Sequence, residues 1–561
     1  MSGVTESEIY RGQTTAIEAV PAVVVGMAAV LFALALAALL ELVTLTDRVA
    51  GVSMIVVLGS LLVLIGIADV AFGVGSRLEL VETKPEPNAG LVAAAAFGGI
   101  WFVVGGLIGS QTLGAGLVGW LAVALLFGVA AFGLAAFTRE DVGSTLPAGA
   151  FAILAGVVFL TGAIGPAWTW EPNGLRVTFF PKSIVPLVVL FAVLVAGWAA
   201  AKAYGGFGAR GRHVGAHLLI YLNAGAIIAV LIGLVAFVAV KGYPAVVQGV
   251  EVGLGVGPKT TIALFGGGNT IALFGVSYTL DLLPKLSYTV VWPIDWPFLM
   301  NGAALLTEID GVLPAIVGTV WLVIGAVLFA VPLGVGAAVF LSEYAEQGRF
   351  TQAVEIATNG LWSTPSIVFG LFGYAFLIPR FGGNKSLISG MLTLGFMLLP
   401  LVVITSREAM LSVPDEYRDA SAALGVSKWQ TIRSVVLPAA LPGVVTGVIL
   451  GVGRIAGETA PILLTMAGGT FLPGNQTVDV IGGFEFVASP PFVKNDALLQ
   501  ATSALPYQVY ALIKALGGNQ NLIENPEAFG WGLVLVLLGV VLSFYAVGIV
   551  TRYYFRKRLH G

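Results

Sequence analysis

The chain is written in long apolar runs separated by short polar breaks. About twelve such runs lie near residues 19–45, 51–75, 89–110, 115–137, 147–167, 183–203, 215–241, 312–342, 354–380, 386–406, 437–467 and 529–551. Each is close to or above the ~20 residues an α-helix needs to cross the hydrocarbon core. A membrane barrel would instead alternate polarity in ~10-residue segments. The expectation is an all-α polytopic membrane protein, its backbone hydrogen bonds closed within helices. Runs well beyond ~20 residues predict tilt or partial embedding. The polar segment Met1 to Glu18 precedes a first run, Ala19 to Val43, that is too long for a signal-peptide core and predicts a retained helix.

The pattern divides near residue 205. Residues 1–205 hold about six spans with short loops and almost no charge in their interiors. The stretch Tyr204-Gly205-Gly206-Phe207-Gly208-Ala209-Arg210-Gly211-Arg212 reads as a flexible basic linker. Residues 206–561 hold about six more spans, a polar loop over 407–436, and two long outer loops over 243–310 and 468–528. In the first outer loop, Thr261-Ile262-Ala263-Leu264-Phe265-Gly266 repeats as Thr270-Ile271-Ala272-Leu273-Phe274-Gly275 around Gly267-Gly268-Asn269. This predicts a β-hairpin turning at 267–269. A phosphate-cradling glycine nest there lacks the helix N-terminus that such sites use.

Composition agrees: 58% of the 561 residues are hydrophobic and 10% charged, against about 25% charged in soluble domains. The absence of cysteine excludes disulfides, iron–sulfur clusters and thiolate zinc sites. Three histidines, His213, His217 and His560, sit at helix ends, so neither a metal site nor a cofactor is expected. Arg77, Arg139, Lys202, Arg210, Arg212, Arg407, Arg418, Lys428, Arg433 and the terminal Arg556-Lys557-Arg558 fall on one side of the predicted topology. The positive-inside rule makes that side, and with it both termini, cytoplasmic in a multi-pass protein of the cell membrane. Trp168, Trp170, Phe179 and Phe180 read as an interfacial aromatic belt. Asp69 is expected as a helix-end acid near the interface, with a proton or cation role as the alternative.

The polar loop 407–436 carries an ordered charge pattern: Val413-Pro414-Asp415-Glu416-Tyr417-Arg418-Asp419-Ala420-Ser421-Ala422-Ala423-Leu424-Gly425, then Ser427-Lys428-Trp429-Gln430-Thr431-Ile432-Arg433 and Leu437-Pro438. Ala420, Ser421 and Ala422 are small enough to let another surface approach. Gly425 suits a left-handed helix cap, and Asp419 can lie near a helix start, where negative charge is favoured. The plain alternative is an ordinary helical loop.

Asp419 to Gly425 resembles the coupling motif of ABC importer permeases, Glu-Ala-Ala-x-x-x-Gly, with Asp419 for the glutamate and Ser421 for the second alanine. Two further stretches, Ser363-Thr364-Pro365-Ser366-Ile367-Val368-Phe369-Gly370-Leu371-Phe372-Gly373 and Gly453-Arg454-Ile455-Ala456-Gly457-Glu458-Thr459-Ala460-Pro461, are similar to the A-type subunit of phosphate ABC importers (the PstA family of binding-protein-dependent inner membrane components). The resemblance covers about residues 215–561. It implies a type I ABC importer permease core of six transmembrane helices, here preceded by about six additional ones. It implies that Asp419, Ala420, Ser421 and Gly425 couple to an ATPase. The implied partners are an ATP-binding subunit dimer, a second homologous permease and an extracytoplasmic phosphate-binding protein, with the outer loops as the receiving surface.

Arg454 and Glu458 can also be judged directly. Four residues apart, they share one face of a helix. Arg454 is expected about 24 Å along the helix from Pro438, at bilayer depth, where an arginine needs water or a partner. Two roles stand open: an ion pair that locks helices, or a pathway cation that Glu458 holds ready for an anion. Guanidinium suits phosphate through two-point hydrogen bonding, and Thr459 adds a hydroxyl. Gly453 and Gly457 are expected to allow close helix approach.

The function expected is therefore a permease subunit for inorganic phosphate that performs no bond chemistry. No Gly-x-x-x-x-Gly-Lys-Ser/Thr sequence occurs, so ATP is hydrolysed by a partner. The alternatives are a permease for another oxyanion (sulfate, molybdate or phosphonate) and an ion-driven secondary transporter, which calls for acids in mid-membrane and paired broken helices.

Overall fold

The computed structural model describes residues 19–172, 176–253, 256, 259–265, 269–273, 276–280, 286–291, 293–302, 311–346, 348–469, 472–487, 490, 492–516 and 525–560. Its packing divides the chain into Met1–Val235 and Ala236–Gly561. The boundary falls inside one long helix, thirty residues beyond the sequence-based division.

The first unit contains α1 (Ala19–Leu39), α2 (Met54–Arg77), α3 (Leu91–Leu107, continued by a π turn to Thr112), α4 (Leu117–Phe137), α5 (Glu140–Leu160), α6 (Pro181–Tyr204) and most of α7 (Gly208–Val247). Gly59, Gly66 and Gly73 recur every seventh residue along α2. A Cβ at Gly66 would lie 2.5 Å from the Gly149 carbonyl of α5, and one at Gly59 3.1 Å from that of Gly156. Only glycine permits this backbone approach, and it replaces side-chain interlocking as the means of joining helices that gain nothing from hydrophobicity in lipid.

Three expectations for this unit fail. The segment 204–212 is no flexible linker: it is two helix ends joined by a tight corner at Gly205, Gly206 and Phe207. Phe207, at φ 62°, is 1% exposed and packs on Phe72 at 6.2 Å, and α7 begins directly at Gly208. The interior is also charged. Lys202 Nζ lies 2.7 Å from Glu140 Oε1 with both side chains 1% exposed, and donates to Ser144 Oγ at 2.9 Å. Glu140 Oε2 accepts the backbone N–H groups of Glu86, at 3.0 Å, and Gly208, at 2.9 Å. The neighbouring Asp141 is paired with Arg139 and accepts from Ser76. Asp69 is no helix-end acid: it is 2% exposed, inside α2, and its Oδ2 has no hydrogen-bond partner.

The second unit holds α8 (Pro297–Met300), α9 (Leu313–Val339, with a π turn to Tyr344), α10 (Arg349–Ser363), α11 (Ser366–Phe372), α12 (Leu387–Leu411), α13 (Asp415–Ala423), α14 (Lys428–Thr431), α15 (Leu437–Ala456), α16 (Ala460–Thr465), α17 (Leu505–Leu516) and α18 (Pro526–His560). Its core joins α9, α12, α15 and α16 through Leu322, Ala326, Leu394, Leu398, Ile455 and Ile462. Among the described residues, eleven helices are long and apolar enough to cross a membrane, or twelve if α10 and α11 form one bent span.

The outer hairpin exists, with a different register. Thr261 pairs with Thr289, and Thr270 with Thr279, while Leu273 faces Val276. Each described half of the repeat therefore pairs with a strand further along the chain, and the two halves do not pair with each other. The expected turn at 267–269 lies largely outside the described residues.

Candidate functional site

Two breaks in helical spans build the site. The run 354–380 bends by 101° between α10 and α11, where Pro365 lacks the N–H for a helical bond and disfavours helix at Thr364. The run 437–467 ends as α15 at Ala456 and restarts as α16 at Ala460, with Pro461 at the start of the new helix. Arg454 thus lies in the last turn of α15 and Glu458 in the break. The pair does not sit within one continuous helix, as the spacing alone predicts.

The breaks pack on each other. A Cβ at Gly370 would lie 2.9 Å from Leu464 and 3.0 Å from Pro461 Cα, and one at Gly373 would strike Thr393 and Thr465. The two family-like motifs therefore form one structural unit. Gly453 gives close approach, with a Cβ there colliding with the Tyr545 hydroxyl of α18. Gly457 does not: it ends α15 and is open on its free side.

Ile455 and Ala456 are 1% exposed and Ile462 is fully buried, which fixes the break from both sides. The intervening polar groups turn outward. Arg454 Nε stands 3.9 Å from Glu458 Oε1, with side-chain exposures of 37% and 19%. The guanidinium carbon lies 4.1 Å from the centroid of the Trp362 ring, at the end of α10. Neither Arg454 nor Thr459 donates a side-chain hydrogen bond within the described chain. A cation whose N–H groups bond nothing among the described residues can receive an oxyanion, and the loosely held acid 3.9 Å away opposes tight binding. The sequence signalled Arg454, Glu458 and Thr459. It gave no signal for Trp362, whose contact exists only because α10 turns at Thr364.

The second element is an elbow formed by α13 and α14. Asp415 and Glu416 occupy the first turn of α13, so they, and not Asp419, meet its positive end. Gly425 has φ 72°. Its N–H bonds the Ala422 carbonyl at 2.9 Å, and the Val426 N–H bonds that of Ser421 at 3.1 Å, a Schellman closure. Ser427 and Gln430 then form a capping box that starts α14. From Lys428 the chain is helical through to Ala456, so the elbow and the Arg454 turn belong to one rod. Asp419, Ala420 and Gly425 are exposed, together with Leu424 and Trp429. Ser421 is the exception: it is 8% exposed and bonds the Tyr417 carbonyl at 2.9 Å.

Arg418 ties this elbow down. It contacts both Glu343 oxygens, the Met410 and Val413 carbonyls, and Asp415. Hydrogen bonding to Glu343 holds its guanidinium still more firmly protonated.

The family described as binding-protein-dependent transport system inner membrane component matches residues 330–493, a stretch that contains both breaks and the elbow. The phosphate transport system permease protein PstA of Xylella fastidiosa strain Temecula1 is 33% identical over 224 residues, covering 38% of this chain and 76% of its own length. The chain belongs to the phosphate permease family. It is a membrane-spanning permease subunit of an ATP-driven phosphate importer. PstA 1 of Mycobacterium tuberculosis strain CDC 1551 is 32% identical over 312 residues and matches 52% of this permease and 90% of its own length. PstA of Haemophilus influenzae is 37% identical over 187 residues, covering 33% and 66% of the two chains. Of solved structures, the inward-facing MetNI methionine ABC transporter aligns with 43% of the permease and 93% of its own chain, at 17% identity and a TM-score of 0.31.

Proposed function

We propose that the permease passes phosphate across the α15–α16 break, with Arg454 as the pathway cation, Glu458 as the acid that prevents retention, and Thr459 as an auxiliary hydroxyl. The observation that carries this is Arg454 itself: partly exposed, loosely paired and with its guanidinium N–H groups making no hydrogen bond among the described residues. A helix-locking arginine would have those groups satisfied by its partner, as Arg418 has. Arg454→Ala abolishes phosphate uptake while the complex still assembles. Uptake near wild type in that variant removes Arg454 from the path.

The exposed face of α13, with Asp419 and Ala420, and the Gly425 turn that closes it engage an ATP-binding subunit dimer that supplies all the hydrolysis. The helical rod from Lys428 to Ala456 carries movement of α14 to Arg454, and α13 reaches that rod through the Gly425 turn. A second homologous permease completes the path, and an extracytoplasmic phosphate-binding protein delivers the substrate. Both termini are cytoplasmic in this reading, which is supported by the basic clusters and by twelve spans when α10 and α11 count as one. Residues 1–205 form an accessory transmembrane region before the permease core, 206–561. Competition by unlabelled phosphate, sulfate and molybdate tests the substrate: phosphate alone displaces labelled phosphate, and displacement by sulfate or molybdate instead assigns the path to that oxyanion.

A further inference from the structure

Trp362 lies in the last turn of α10, two residues before the Thr364–Pro365 bend. Across the bend its ring meets the Arg454 guanidinium at 4.1 Å. This is the contact expected when the electron-rich face of an indole attracts a cation. Its geometry has a consequence for anion binding. A guanidinium carries its five N–H donors in its own plane, so a ring lying over the guanidinium carbon, as Trp362 does, can hold it by its π face and leave donors for an anion. Glu458, whose nearest approach is 3.9 Å from Nε, is beyond hydrogen-bond distance and leaves the group unsaturated. The π surface is thus the contact that fixes the orientation of the guanidinium.

We propose that Trp362 is a positioning residue for phosphate passage: its indole holds the Arg454 guanidinium with the in-plane N–H donors open to the anion. The proposal rests on the pathway role of Arg454. It also explains why the bend and the break lie together. The bend carries the ring, the break carries the arginine, and Gly370 lets the segments on either side touch at Leu464 and Pro461. A tilt of α10 against α15 would then change how the arginine is presented, which links opening of the path to release of the anion.

The test uses the complete transporter in proteoliposomes with phosphate-loaded binding protein at saturation, recording phosphate transported and ATP hydrolysed. Trp362→Leu keeps an apolar side chain but removes the π face, and should lower the phosphate moved per ATP by about two- to thirtyfold, the range such a contact supplies. Its ATPase rate should stay within about twofold. Trp362→Phe, which keeps a π face, should retain most of the transport. Equal behaviour of the Leu and Phe variants, or wild-type transport by the Leu variant, overturns the proposal. Parallel loss of ATPase and transport in both variants also overturns it, because it marks the residue as structural. Arg454→Ala in the same assay separates the two layers: if that variant transports normally, the pathway role beneath the proposal fails, whereas its inactivity beside a normal Trp362→Leu variant refutes only the role of Trp362.

Discussion

The Arg418 guanidinium lies across the Glu343 carboxylate in a two-point contact, with Nη2 2.8 Å from Oε1 and Nε 3.3 Å from Oε2. Arg418 stands on α13, and Glu343 on the π turn that ends α9. The Glu343 side chain is 6% exposed, and the arginine also binds the Met410 carbonyl in the last turn of α12 and the Val413 carbonyl just beyond it. One residue thereby fastens the elbow to two spans besides the rod that continues from it. Charge-assisted two-point pairs are about twice as strong as neutral hydrogen bonds, so this joint can carry force.

Removing the arginine should uncouple the machine. Arg418→Ala leaves the nearly buried Glu343 and two carbonyls without their partner, a loss on the order of 3–5 kcal/mol for a broken buried pair, discounted because Arg418 is partly exposed. The expected outcome is retained ATPase activity with phosphate transport falling several-fold. Glu343→Gln, which keeps one hydrogen bond, should lie between the alanine variant and wild type. Paired measurement of ATP hydrolysis and phosphate uptake checks both.

Gly425 should tolerate only residues that accept left-handed backbone. No atom lies within 4 Å of where its Cβ would be, so the constraint is φ alone and not space. Gly425→Val strains the Schellman closure by roughly 1–2 kcal/mol and should weaken ATPase subunit binding in a pull-down. Gly425→Asn should bind nearly normally, since asparagine enters the left-handed region more readily.

In the first unit, Lys202→Met strands the Glu140 carboxylate in a buried site and should lower the thermal midpoint of the detergent-solubilised protein by several degrees. The double variant Lys202→Met/Glu140→Gln should recover part of that loss, because a neutral pair avoids an uncompensated buried charge. Differential scanning fluorimetry of the two proteins decides.

Asp69 tests the ion-driven alternative. An intramembrane acid is by default a functional candidate, but among the described residues no cation pairs with Asp69 and its Oδ2 has no hydrogen-bond partner. Asp69→Asn should leave phosphate uptake and its dependence on ATP unchanged. Uptake that is lost in this variant, or that follows an imposed proton gradient, would assign it a transport role.

The sequence by itself determined the membrane class, the helical spans and the permease family. Apolar run length reports span count directly, and the coupling motif and the Arg454 segment are local strings. Gly425 was legible for the same reason, since a left-handed cap is a property of a few consecutive residues. Tertiary structure alone decided what depends on distant residues meeting. Lys202 and Glu140 look like separate loop charges until α5 and α6 bring them to 2.7 Å. The repeat at Thr261 and Thr270 suggests a hairpin partner within itself, yet each half pairs with a strand further on. Arg454 and Glu458 imply one helix face by spacing, but Pro461 breaks that helix and leaves the pair loose. Trp362 carries no signal, because its meeting with Arg454 follows from the bend at Thr364 and the helix end at Ala456 together. Local chemistry is written in order along the chain, whereas the free donors of Arg454 depend on what the folded neighbours leave unsatisfied.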